Sequence, residues 1–212
     1  MPSAQARQSF NASVSSEAVA RGVSLSNGSP VLQAGADWDA DNGAYAGLHA
    51  SSGLAFAGRA GITELDVYAG LAQRLAAGVS IDAGAIHHQF RGAAAYSYNE
   101  LVAGIGFDRS NARLSWSPAY YGEGGHTLYL EANGFHPVGE QIKLLAHLGW
   151  LHGLAGAALR QRDSLDARLA VSLDQGDVNY QLAWLVRHSL GAGAPDSLPR
   201  PRALAFSASR AF

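Results

Sequence analysis

The 212-residue chain has no cysteine, which removes disulfides, thiol nucleophiles and thiolate metal sites together. It has no surplus of positive charge either. Lys and Arg number 15 against 17 Asp and Glu, for a formal net charge of -2. Nothing in that balance would neutralise a phosphate backbone, so no nucleic-acid partner is expected. Charged residues make up only 15% of the chain, where about a quarter is usual for a soluble domain. No stretch of about 18 uninterrupted apolar residues exists to form a membrane-spanning helix. The mean hydropathy of -0.02 is uninformative, because averaging over both faces of an alternating strand hides an apolar side.

What the chain does have is a two-residue rhythm. Between Asp177 and His188, Val178, Tyr180, Leu182, Trp184 and Val186 take one face, and Asn179, Gln181 and Arg187 take the other. Leu165, Ala167, Leu169, Val171 and Leu173 oppose Asp166, Arg168 and Ser172 in the same way, and Leu65, Val67, Ala69 and Leu71 oppose Glu64, Asp66 and Tyr68. A helix would spread these apolar residues around its axis. The end of the chain, Leu204 to Phe212, closes the pattern with a terminal aromatic, the mark of the last strand of a bacterial outer-membrane barrel.

Applied throughout, the alternation predicts strands near 9–25, 31–39, 43–52, 62–75, 78–90, 96–107, 111–120, 126–136, 140–151, 163–174, 177–188 and 202–212. That is about twelve, an even number, as a single-chain bacterial barrel requires. Every second connection is a tight turn, such as Ala40-Asp41-Asn42, Asp108-Arg109-Ser110 or Gln175-Gly176. The others are mostly longer: 53–61, 91–95, 121–125, 152–162 and 189–201. Only the connection around Asn27-Gly28-Ser29-Pro30 breaks that contrast. The expectation is a closed all-β, antiparallel transmembrane β-barrel with short periplasmic turns and longer extracellular loops. It would occupy 9–212, preceded by a remnant of an export signal or a disordered terminus over 1–8. Ala4-Gln5-Ala6 fits a secretory cleavage site.

In hydrocarbon an unpaired backbone group costs several kcal/mol, so the first strand must close on the last: Phe10–Ala18 against Arg202–Phe212. The upper part of the long first segment is expected to project above the membrane. Phe10, Trp38, Phe107, Tyr180 and Phe212 are placed outward at the short-turn end, with Tyr120 and Trp150 outward at the loop end, as interfacial girdles. A lipocalin-like barrel or sandwich would also alternate, but its apolar face would point inward, and the inward set here would make a poor core.

With the strands placed, several patterns carry a resemblance. They are Arg21-Gly22-Val23-Ser24 running into Pro30, Gln33, Gly35 and Asp37; Gly43-Ala44-Tyr45-Ala46-Gly47; Glu64-Leu65-Asp66-Val67-Tyr68-Ala69-Gly70; Tyr98-Asn99-Glu100; Tyr129-Leu130-Glu131; and Ser207 to Phe212. In order and spacing the chain resembles the TorF-type putative porins, bacterial outer-membrane proteins long described as conserved hypothetical. The resemblance implies a porin-type barrel and supplies no substrate. The chain departs from it in carrying alanine and leucine at many strand positions and in the loop 152–162.

By parity the lumen collects Arg21, Asp37, Glu64, Asp66, Tyr68, Asp82, Glu100, Arg113, Glu131, Lys143, His147, Asp166, Arg168 and Arg187. Buried unpaired, such groups are costly, so they must meet water or each other. Read one way they line a passage for small hydrophilic solutes or ions; read the other they are salt bridges filling a narrow barrel. One wall, with Asp37, Glu64, Asp66, Asp82 and Glu100, would be acidic. The other, with Arg113, Lys143 and Arg168, would be more basic.

The histidines show no metal-ligand spacing: His87 and His88 face opposite ways, and His126, His136, His147 and His152 are dispersed. No cofactor is implied. Outer-membrane lipid hydrolases suggest Ser189 beside His188, or Ser164 with His152, but the first pair cannot share a face and the second lacks an evident orienting acid. No enzyme is therefore expected. A third possibility is a plugged, adhesive barrel whose loop 152–162 touches lipopolysaccharide phosphates through Arg160 and Arg162. The remaining expected partners are outer-membrane lipids and the barrel-assembly machinery, which would read the Phe212 strand.

Overall fold

A computed structural model describes residues 7–56, 58–76, 78–122, 125–154, 163–190 and 202–212. Twelve antiparallel strands close into a barrel. They are β1 (Arg7–Ser15), β4 (Val31–Asp39), β5 (Ala44–Phe56), β6 (Arg59–Ala76), β7 (Val79–Arg91), β8 (Tyr98–Gly106), β9 (Ser110–Ser117), β10 (Thr127–Pro137), β11 (Ile142–Gly153), β12 (Ser164–Gln175), β13 (Val178–Ser189) and β14 (Arg202–Ala211). Two further short strands, β2 (Val19–Ala20) and β3 (Val23–Ser24), pair only with each other. Each barrel strand pairs with its neighbour in sequence, and β1 closes on β14 through Asn11↔Ala211 to Ser15↔Ser207. The Phe212 amide donates to the Phe10 carbonyl at 2.8 Å.

The two faces have the expected polarity. Leu48, Val67, Leu71, Leu101, Leu114, Leu148, Leu169, Leu182, Trp184 and Leu204 stand exposed on the outside, while Glu100, Asp166, Ser115 and Ser172 are buried inside. A soluble barrel would show the reverse. Phe10, Trp38, Phe107 and Phe212 are exposed at the short-turn end, and Trp150 at the other, where its ring stacks on His152.

Four local expectations are corrected. The first segment is not one long strand. β1 ends at Ser15, so Ala18 takes no part in closure, and the chain turns inward instead of projecting upward. That makes 16–30 the whole first outer connection, and the apparent exception at Asn27-Gly28 disappears. The long loop expected over 53–61 is replaced by strands, with β5 reaching Phe56 and β6 starting at Arg59 after a bulge near Ser51 and Leu54. Finally, Tyr120 is buried, not outward. β9 stops at Ser117, and a 3-10 turn over Tyr120–Gly122 swings the ring over the mouth.

That mouth holds an apolar cluster. Phe90 and Leu54 are 0% exposed and Val31 and Ile62 1%, packed with Leu25, Ala93, Tyr98 and Tyr120. Burial of such side chains contributes about 1.5–3 kcal/mol each. The cap sits inside the raised wall of β5, β6 and β7. Its rings form a continuous column: His88 stacks on Tyr98 at 4.4 Å, and Tyr98 meets Tyr120 and Tyr121 at 5.2 Å.

Candidate functional site

The site is built by the segment that turns inward. Val19-Ala20 and Val23-Ser24 pair across Arg21-Gly22, whose φ values are 48° and 73°. Two positive φ angles at the centre of a two-residue hairpin define a type I′ turn, which demands glycine or a tolerant residue there. The hairpin is tied to the wall by the Ala55 amide, which donates to the Leu25 carbonyl at 2.7 Å. Its tip crosses the lumen. On one side Arg21 Nη2 donates to both carboxylate oxygens of Glu100, at 2.7 and 2.8 Å, while its guanidinium lies 4.3 Å from the Tyr129 ring centroid and 4.9 Å from that of Tyr120. On the other side Gly22 is so close to β12 and β13 that an added Cβ would lie 2.7 Å from Asp166 Cβ and 2.8 Å from Arg187 Cβ. Only glycine fits.

Beside the hairpin lies a cavity of about 370 Å³. Seven of the lumen residues expected from sequence line it: Arg21, Glu100, Arg113, Glu131, His147, Asp166 and Arg168. His147 bridges Asp166 (Nε2, 2.9 Å) and Asn133 (Nδ1, 2.7 Å), and Tyr129 donates to Asp166 Oδ2 at 3.1 Å. Tyr129 lies flat because Gly149 beneath it has no side chain: a Cβ there would meet the Tyr129 hydroxyl at 2.1 Å. Arg187 donates to Ser164 Oγ at 3.0 Å. Among the described residues Arg168 has no ion-pair partner within 4 Å.

The other expected residues lie along the wall outside this cavity. Tyr68 donates to Asp37, and Tyr45 to Asp82 at 3.4 Å, with Arg113 3.6 Å from the same carboxylate. Lys143 donates to Asp174 at 2.7 Å near the short turns. Glu64 and Asp66 gather around His88. Sequence reasoning overlooked His49, Tyr45, Tyr129, Asn133 and Asp174. Their parity made them visible as inward groups, but no sequence signal announced their partners.

The serine–histidine pairs are not brought together. Ser164 and Ser189 are register partners, and Ser164 is buried against Arg187; His188 pairs with Leu165, which is exposed outside. His152 does have an orienting acid, Asp163 at 2.8 Å, which the sequence reading missed, but its ring is stacked on outward Trp150. Arg160 and Arg162 lie outside the described residues.

A closed twelve-strand barrel with a polar lumen and an apolar exterior defines the class: a β-barrel of the porin-like fold found in outer-membrane proteins. The chain belongs to the family described as "Bacterial protein of unknown function (Gcw_chp)", whose model matches residues 1–184. No curated protein matches it. Among solved structures it is similar to the NanC porin (TM-score 0.62, 7% identity, covering 96% of this chain and 98% of that one). It is also similar to the KdgM porin (0.59, 10%, 96% and 99%) and to LpxR from Salmonella typhimurium (0.51, 10%, 96% and 99%). At such identities the likeness is one of fold.

Proposed function

We propose that the chain is a channel of the Gram-negative outer membrane, passing small hydrophilic solutes or ions by diffusion through a charged lumen, in keeping with the porin-type barrel its resemblance to the TorF-type porins implies. The observation that carries this reading is the Arg21 hairpin, held across a polar lumen by its pairing with Glu100, beside a cavity where Arg168 has no ion-pair partner among the described residues. Fixed charges of both signs set a transverse field, and the hairpin sets the constriction. Arg21, Arg113 and Arg168 face Glu100, Glu131 and Asp166 around the cavity, a balanced set of charges that suits polar, polyhydroxylated solutes. The KdgM porin, of like fold, has been solved in complex with disordered oligogalacturonate. Outer-membrane lipids would cover the exposed leucines, lipopolysaccharide would meet the outer loops, and the Phe212 strand would present the chain to the assembly machinery.

The decisive experiment is single-channel recording of detergent-refolded protein in planar bilayers, with liposome swelling over a series of solute sizes. A steady conductance and a size cut-off are expected. A second reading, a plugged structural barrel, is favoured by the apolar cap over β5, β6 and β7. Silent bilayers with correctly folded protein would establish it and end the channel reading.

A further inference from the structure

His49, Asp66 and His88 stand in one row across three neighbouring strands, in the register His49↔Asp66 and Asp66↔His88. Directly opposed residues on one face of a sheet lie about 4.5–5.5 Å apart at Cβ, within reach of a shared ligand. Glu64, two positions along β6, reaches the same spot. His88 Nδ1 lies 2.8 Å from Asp66 Oδ1 and 3.7 Å from Glu64 Oε1, and His49 Nδ1 lies 3.8 Å from Asp66 Oδ2. One donor atom from each of Glu64, Asp66 and His88 falls within 4.8 Å of the others.

We propose that Glu64, Asp66 and His88 bind one divalent transition-metal ion of the Zn²⁺ class on the lumen wall, with solvent completing the tetrahedron. Mixed imidazole and carboxylate donors suit such an ion better than Ca²⁺ or Mg²⁺, which take oxygen ligands. Metal bonds of about 2.1 Å in a tetrahedron put ligand atoms about 3.4 Å apart. The present spacings bracket that value, so small side-chain rotations suffice.

Two features beyond the donor set support the assignment. The first is charge. Glu64, Asp66 and Glu100 bring three negative charges, Arg21 returns one positive, and the remaining two match a divalent ion. The second is the far side of His88. Its ring is fixed by stacking on Tyr98, and its buried Nε2 makes no hydrogen bond among the described residues, yet faces Glu100 Oε2 at 3.4 Å. With a metal on Nδ1 the imidazole is neutral, Nε2 carries the proton, and Glu100 becomes the carboxylate that orients the ligand. Glu100 is also the Arg21 clamp, so the ion sits one side chain away from the hairpin.

The competing arrangement is a protonated His88 that bridges the carboxylates without metal. Calorimetric titration of refolded, chelator-stripped protein with Zn²⁺ separates the two, and does so whether or not the barrel conducts. One saturable site per chain is expected, weakened at least tenfold by Asp66→Asn and by His88→Gln and unchanged by His136→Gln on the exposed outer face, with folding checked by heat-modifiable gel migration. The proposal is overturned by the absence of saturable binding to the folded wild type, or by equal binding in the folded variants. Should those variants misfold, Cu²⁺ electron paramagnetic resonance on the wild type decides: nitrogen coupling is expected, and an all-oxygen spectrum overturns the site.

Discussion

The lumen wall formed by β4 to β8 and the wall formed by β9 to β13 are made from the same alternation but end in different states. The first carries Asp37, Glu64, Asp66, Asp82 and Glu100, with His49 and His88 among them, and is roofed by Phe90, Leu54, Ile62 and the tyrosines. The second carries Arg113, Lys143, Arg168 and Arg187 against Glu131, Asp166 and Asp174, and borders much of the cavity. An apolar roof over carboxylates and imidazoles that bond one another stabilises a wall. A half-paired set beside open space can act on a solute. The Arg21 hairpin joins the two, holding Glu100 on one and touching Asp166 and Arg187 on the other.

The sharpest way to break this contrast is to remove the joint. Replacing Glu17–Ser26 with a short Gly-Ser link should raise single-channel conductance several-fold, because the hairpin is the element that crosses the lumen. Unchanged conductance in the folded deletion would show that the constriction lies elsewhere. A smaller but still large effect is expected from the roof. Phe90→Ala leaves a cavity in a fully buried cluster and should cost about 3–5 kcal/mol in urea unfolding followed by tryptophan fluorescence. On the opposite wall, Arg168→Ala should stay within about 0.5 kcal/mol, since that side chain is half-buried and has no ion-pair partner among the described residues. Equal costs at the two positions would erase the distinction between a structural and a working wall.

Much of this was legible because barrel strands obey a strict period of two. Once Val178 to His188 and Leu165 to Leu173 were read as outward-apolar, every charged residue between them was expected to face in; in the register Asp166 stands opposite Arg187 and Ser172 opposite Gln181. The hairpin was hidden for the same reason. Val19, Ala20, Val23 and Ser24 continue the rhythm of the first strand, and only the pair of left-handed residues at Arg21-Gly22 breaks it. The roof was hidden because Phe90, Tyr98 and Tyr120 are ordinary strand residues until the chain above them bends inward. Asp66 beside His49 and His88 depends on how three strands are registered, and a slip of one residue would turn any of them outward. Composition carries no trace of that.

The finest test concerns charge rather than architecture. Asp66→Asn with Glu100→Gln removes negative charge from the roofed wall and frees the Arg21 guanidinium from its partner. Reversal potentials across a salt gradient, measured in chelator, should move toward anion selectivity. Arg113→Gln with Arg168→Gln should move them the other way, because those guanidiniums line the cavity itself. The two shifts need not be equal. Arg168 has no ion-pair partner among the described residues to compensate it, whereas Asp66 and Glu100 are each held in a network, so the arginine pair should give the larger shift per charge removed. Shifts of the same sign from both double variants would mean that ions pass by a route these walls do not border.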